Sequence, residues 1–183
     1  MFIFLIPAEA GGRITASIAE TFAGLYEQYV TKVFRFVRYR IEDDDTAQDL
    51  TSTVFEKALS KFQTYQSERA SFSTWIFSIA RNTVIDYLRV SHKDMTTQLD
   101  IELPIKAHDS PEEDAIRSEE YRNLQTCLLR LSEPEQRVIS LKFGAEMKNR
   151  EIARMTGMSE SKVANIVFRA VRKLRKSYGG QDE

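Results

Sequence analysis

Apolar residues recur along this chain at helical spacing, in blocks separated by polar breaks. Phe22, Leu25, Tyr26, Tyr29, Val33, Phe36 and Val37 step by three and four, which predicts a helix over about 20–40. The acidic run Glu42, Asp43, Asp44, Asp45 ends that pattern. Asp44 or Asp45 is the expected cap of the next helix, because a carboxylate suits a helix N-terminus. That helix covers about 46–62, with Leu50, Val54, Ala58 and Leu59 inward. After a polar stretch, 63–70, Ser71 is the expected cap of a third helix. Phe72, Trp75, Ile76, Ile79, Ala80, Thr83, Val84, Tyr87 and Leu88 give it the strongest periodicity in the chain. Trp75 lies on this stripe and is expected in the core.

The periodicity stops between about 93 and 111, where Pro104, Pro111 and scattered charge mark a linker. It resumes with Leu124, Cys127, Leu128 and Leu131. Ser132 is expected to cap a helix with Pro134 in its first turn, continued by Val138, Ile139, Leu141 and Phe143 as far as Gly144. A short helix over 150–156 follows, with Ile152 and Ala153 inside. Gly157 supplies a left-handed turn residue and Ser159 the next cap. Val163, Ile166, Val167, Ala170 and Leu174 form the buried face of a last helix.

Two helices joined by a short glycine turn have helix-turn-helix geometry, in which the second helix enters the major groove of DNA. Its outward residues, Glu160, Ser161, Lys162, Ala164, Asn165, Phe168 and Arg169, are the candidate base readers. Arg172, Lys173, Arg175 and Lys176 are candidates for phosphate contact. The plainer alternative is a helical hairpin with a solvated basic face. The turn, the cap and the one-sided charge together favour DNA.

Charge sharpens this picture. The net charge of the whole chain is −1, which excludes a uniformly basic nucleic-acid binder. Yet 148–176 holds nine basic residues against Glu151 and Glu160, while 109–120 is acidic apart from Arg117. The seven Gly and four Pro cluster at breaks, which favours an all-α chain. Cys127 is the single cysteine, so neither an internal disulfide nor a cysteine-rich zinc site is expected. His92 and His108 lack metal-ligand spacing, and no cofactor is expected. The opening run Met1 to Pro7 is apolar but too short to span a bilayer and lacks a basic start, so neither membrane insertion nor a secretory signal is expected. The plain reading of that run is a poorly ordered terminus.

Three stretches carry a family resemblance. ASFSTWIFSIARNTVIDYLR resembles the second conserved region of extracytoplasmic-function (ECF) sigma factors, within the sigma-70 superfamily. DLTSTVFEKAL resembles the polymerase-binding helix just upstream of it, and LSEPEQRVISLKFGAEMKNREIARMTGMSESKVANIVFRAVRKLR resembles the fourth region. The resemblance covers about 21–177 and implies an all-α chain of two small helical domains joined by a flexible acidic linker, the second a helix-turn-helix. The expected organisation is a tail over 1–19, a region 2 domain over 20–93, a linker over 94–115, a region 4 domain over 116–178 and a tail over 179–183.

It also implies roles. The first domain would bind core RNA polymerase at its beta-prime clamp and read the minus-ten element as separated single strand. The second would read the minus-thirty-five element as duplex, near the beta flap. Asp49 matches a clamp-contacting Asp, with Ser52, Thr53 and Glu56 on the same helical face. Asn82 matches an Asn that holds an extruded base, and 63–70 matches the specificity loop. Tyr65, Ser78, Arg81 and Arg89 complete the candidate minus-ten set, since an opened strand needs stacking and a cationic track. Promoter DNA and core polymerase are thus the implied partners, an anti-sigma factor is left open, and the implied compartment is the bacterial cytoplasm, at the nucleoid.

The chain departs from the family in two places. Ala164, Asn165 and Ile166 follow Val163 where the family usually has a cation, Ser and Arg. Ser52 and Thr53 stand where it usually has Gln and Glu. The alternative function is a stand-alone helix-turn-helix regulator. An enzyme is not expected, because the acidic run at 42–45 has no partner cluster at ligand spacing.

Overall fold

The computed structural model describes residues 12–95 and 122–178, with side chains over 19–91 and 122–178. The described residues contain helices and no strand. Helix α1 spans Gly12–Arg38 and α2 spans Asp44–Lys61. A 3₁₀ turn, Phe62–Thr64, leads through a loop to α3, Phe72–Met95. Residues 122–129 lie in α4. Next come α5 (Glu133–Ile139), a π-helical turn (Ser140–Gly144), α6 (Asn149–Thr156) and α7 (Glu160–Tyr178).

The breaks are made by local chemistry. Asp43, not Asp44 or Asp45, caps α2: its backbone is extended, and its carboxylate accepts the Thr46 N–H at 2.7 Å. Asp44 instead faces Arg38 Nε at 2.5 Å. Ser71 caps α3 as expected, accepting the Thr74 N–H at 3.3 Å. Ser132 and Glu135 form a capping box at α5, with the Ser132 N–H donating to Glu135 at 3.0 Å and Pro134 in the first turn. Past Ile139 the helix widens, and the Ala145 N–H reaches back five residues to Ser140 O at 2.9 Å.

The α1–α3 unit is built as the periodicity predicts. Val33, Phe36 and Val37 of α1, Val54 and Ala58 of α2, and Ile76, Ala80 and Val84 of α3 are fully buried. Each of the larger ones contributes roughly 1.5–3 kcal/mol by leaving water. Phe77 lies off the expected stripe and is also fully buried, its ring 5.5 Å from that of Phe36. The α3 helix packs on both α1 and α2, so its apolar arc is wider than one stripe. Trp75 is only half-buried, against Phe62, Tyr65 and Phe72. Tyr87 is 37% exposed.

The α4–α7 unit brings two corrections. Leu124 and Phe143, expected inward, are 38% and 43% exposed. In α4 the inward residue beside Cys127 and Leu128 is the polar Gln125. At Phe143 the π turn adds a residue, which rotates the face relative to an α-helix.

The two units share a core. Val138, Leu141, Ala145, Met147, Ile152 and Val163 belong to one contiguous apolar cluster with the residues of α1–α3. Of the expected linker, residues 94 and 95 close α3, and 96–115 lie outside the described residues. The apolar run 1–7, His108, the acidic stretch 109–120 and the tail 179–183 also lie outside them, as does the His92 side chain.

Candidate nucleic-acid interface

Helices α6 and α7 meet at the expected turn. Gly157 sits at φ 71°, a left-handed conformation that favours glycine. Its N–H and that of Met158 both return to Ala153 O, satisfying the end of α6. At the start of α7, Ser159 Oγ accepts the Lys162 N–H at 3.2 Å. Ile152, Val163 and Ala170 are fully buried and lock the pair against the core. The opposite side of α7 is open. Glu160, Ser161, Lys162, Ala164, Asn165, Phe168, Arg169 and Arg172 are all exposed. Asn165, Phe168, Arg169 and Arg172 follow one another at the spacing of a single helical face. Phe168 is 68% exposed, the largest value among the big apolar side chains described. Lys173 differs from its basic neighbours: its ammonium pairs with Glu135 at 2.7 Å and ties α7 to α5.

Glu135 is a nearly buried carboxylate. Burial pushes its pKa up, but hydrogen bonds from Lys173 and Ser132 outweigh burial and hold the group below its ordinary value.

On α3, Asn82 is exposed, and Arg89 is exposed beside Asp86 at 3.3 Å. Ser78 is half-buried and its hydroxyl donates to Thr74 O at 2.7 Å, which leaves it able to accept. Arg81 is half-buried, with its Nε enclosed and without a protein acceptor among the described residues. Tyr65 is built into the protein rather than standing free. Its ring lies 5.1 Å from Trp75 and 5.7 Å from Phe72, and its hydroxyl donates to Ala70 O at 3.1 Å, closing the loop 63–70. Desolvation raises its pKa. The loop is therefore anchored through its one aromatic side chain, and Tyr65 is left with a limited surface for a base.

On α2, Asp49, Ser52 and Glu56 are exposed and Thr53 is half-buried. Their spacing places all four on one side of the helix, opposite the buried Thr51, Val54, Phe55 and Ala58. The structure thus presents three separate surfaces, on α2, on α3 with its preceding loop, and on α7.

The sequence patterns did not single out Arg38, Arg40, Gln125 and Glu146. Arg40 is 4% exposed and pairs with Glu133 at 3.4 Å, while its Nε and Nη1 have no acceptor among the described residues. Burial holds its pKa below the usual value, with Glu133 opposing that shift and Arg137 and Arg81 adding to it. Arg38, Arg40 and Gln125 are buried polar residues and Glu146 is an exposed loop residue, and none of the four leaves a periodic signature in the sequence.

Comparison with known proteins agrees with this arrangement. The model of Sigma-70 region 2 matches residues 25–93, and that of Sigma-70 region 4 matches 121–174. The ECF RNA polymerase sigma factor SigX of Bacillus subtilis is 30% identical over 162 residues, covering 86% of this chain and 83% of its own. The ECF RNA polymerase sigma factor BldN of Streptomyces coelicolor is 33% identical over 166 residues, covering 88% of this chain; the match spans 62% of BldN's length. Among solved structures, the sigma factor RpoE in complex with the anti-sigma factor NepR from Bartonella quintana has the same fold. Its TM-score is 0.68 at 18% identity, covering 86% of this chain and 96% of that one. The chain belongs to the ECF sigma factors of the sigma-70 family, factors that direct transcription initiation.

Proposed function

We propose that this chain binds core RNA polymerase through the exposed α2 face and brings it to promoters through two DNA-reading surfaces. Asp49 and Glu56 carry the polymerase contact, with Ser52 and Thr53 between them. Asn82 and the loop 63–70 hold one extruded base of the minus-ten element, while Arg81 and Arg89 follow the strand. Asn offers both a donor and an acceptor to a base edge. The α7 face reads the minus-thirty-five duplex. There Asn165 pairs with adenine, Phe168 packs on a thymine methyl, and Arg169 and Arg172 take phosphates.

The observation that carries this reading is the α7 face. All eight candidate residues are exposed on a helix whose start is fixed by Gly157 and Ser159, and whose other side is buried. The reading places no chemical step in the protein, and its site of action is the bacterial cytoplasm. The region boundaries 20–93 and 116–178 belong to the same proposal. So does an anti-sigma partner, supported by the RpoE–NepR complex whose sigma subunit shares this fold.

The test is a gel shift on promoter duplex with and without core polymerase. A specific shift only in the presence of polymerase is expected. Nanomolar binding by the chain alone in physiological salt would point instead to a stand-alone regulator.

A further inference from the structure

Arg40 stands in the turn after α1, and its charge is poorly met by the protein around it. The residue is 4% exposed, and its Nε and Nη1 have no acceptor among the described residues. Its remaining nitrogen, Nη2, lies 3.4 Å from Glu133 Oε1, at the edge of hydrogen-bond range. That carboxylate is already engaged. Arg137 donates to it from Nη2 at 2.6 Å and from Nε at 3.2 Å, across one turn of α5. Both Glu133 oxygens are therefore held more closely by Arg137 than by Arg40. On the α3 side, half-buried Arg81 is close enough to Arg40 to repel it, and its Nε is also enclosed without an acceptor among the described residues. Three guanidiniums are thus set near one another, with one carboxylate between two of them.

A guanidinium keeps its proton, so Arg40 cannot relieve its burial by turning neutral. A buried ion with unmade hydrogen bonds is strongly unfavourable until an opposite charge joins it. Guanidinium N–H groups match the oxygens of a phosphate in both charge and direction. After Glu133 is counted, two of the three positive charges are left over. A phosphate dianion neutralises them, whereas a phosphodiester carries one charge too few. The Arg137 and Glu133 side chains are 23% and 49% exposed, so the cluster is open to solvent at α5. Arg137 also covers both Glu133 oxygens, which weakens their repulsion of an incoming anion.

We infer that Arg40, Arg137 and Arg81 form a binding site for a small phosphate-type dianion, with Arg40 at its base and Arg137 at its mouth. The inference goes beyond the function proposed above and does not rest on it.

The test is calorimetric titration of the full chain with inorganic phosphate, in chloride of matched ionic strength, beside Arg40→Met and Arg137→Leu. Arg40→Met puts an apolar chain of similar length in the buried position and removes the unmet charge. Wild type should bind one phosphate saturably, in the millimolar range or tighter. Each variant should weaken that binding at least about tenfold, the effect of losing hydrogen bonds to a charged group. Phosphate should also raise the urea midpoint of wild type more than that of either variant. The general stabilising effect of phosphate as a salt acts on all three proteins and leaves that difference intact. Dimethyl phosphate, with one charge, should bind wild type at least about tenfold more weakly than phosphate does. Adenosine 5′-monophosphate separates two sources of the same group: tighter binding than inorganic phosphate assigns the site to a nucleotide, and weaker binding assigns it to the free ion. Circular dichroism identifies a variant that fails to fold, in which case the other carries the comparison, and the dimethyl phosphate measurement needs no variant. Absence of saturable phosphate binding by wild type overturns the site. So does equal binding by a folded variant, and dimethyl phosphate binding as tightly as phosphate overturns the dianion assignment.

Discussion

Arg38 and Gln125 stand 87 positions apart and satisfy one another in a buried site. The guanidinium donates to the Gln125 side-chain oxygen at 2.6 Å and to Ile41 O at 2.7 Å, and it also reaches Glu42 O. The Gln125 amide donates to the carbonyls of Arg38, Ile41 and Glu42. The N–H groups of Tyr39, Arg40 and Ile41 bond back to α1, and these two side chains supply donors to the carbonyls of the turn. One of them belongs to the other unit.

Removing Gln125 should therefore cost far more than its polarity suggests. Gln125→Leu leaves a buried arginine and several carbonyls short of partners, which costs about 2–4 kcal/mol. Urea unfolding should show a lower midpoint. Phe143→Ala, at an exposed site, should move the midpoint by less than about 0.5 kcal/mol. Equal effects of the two substitutions would contradict the role given to Gln125.

Asp49 lies on an open helical face and supports no packing. Asp49→Arg should abolish co-purification with core polymerase while leaving the unfolding midpoint within about 0.5 kcal/mol of wild type. Co-purification at wild-type yield would remove α2 from the interface.

The proposed reading of the α7 face separates base reading from phosphate contact. Asn165→Ala should lose about 1–3 kcal/mol on the best upstream element and little on scrambled DNA. Arg172→Ala should weaken both about equally and flatten the salt dependence. These affinities are measured on the polymerase-bound factor, by competition across a salt series. An unchanged sequence preference in Asn165→Ala would displace Asn165 as a reader.

Glu135 ties stability to pH. Its folded pKa is depressed, so the ionised carboxylate stabilises the fold above its ordinary value of 4.5. That contribution is lost as pH falls from there through the folded value. Thermal melts at decreasing pH should show a falling midpoint in this window, and Glu135→Gln should have a shallower acid slope. The same slope in both proteins would mean that the Lys173–Glu135 pair does not couple to folding.

Much of this architecture was legible in the sequence. The helical blocks, the caps at Ser71, Ser132 and Ser159, and the turn at Gly157 follow from periodicity and local hydrogen bonding, which act over a few residues. The α7 face follows in the same way, as the complement of Val163, Ile166 and Ala170. What could not be read depends on partners distant in the chain. Phe77 looked peripheral because one stripe was assigned to a helix that packs on two others. Asp43, not Asp44, has the extended backbone of a cap, and Asp44 pairs instead with Arg38. Leu124 was expected in the core, but Gln125 takes the inward position because the end of α1 and the turn after it supply polar groups for it to meet. Tyr65 suited a stacking platform by residue type, but Phe72 and Trp75 occupy much of its ring.

The central claim is that this chain directs polymerase to promoters by reading two elements with two units. Run-off transcription with purified core polymerase tests it most directly. The templates carry a promoter selected from a random library, the same promoter with its upstream element scrambled, and the same with its downstream element scrambled. The account predicts a discrete transcript only when the factor is present. Scrambling either element should lower the yield at least about tenfold, the effect of losing roughly 1.4 kcal/mol or more of recognition. A factor-dependent transcript that is indifferent to one of the two elements, or no factor-dependent transcript from any template, would contradict it.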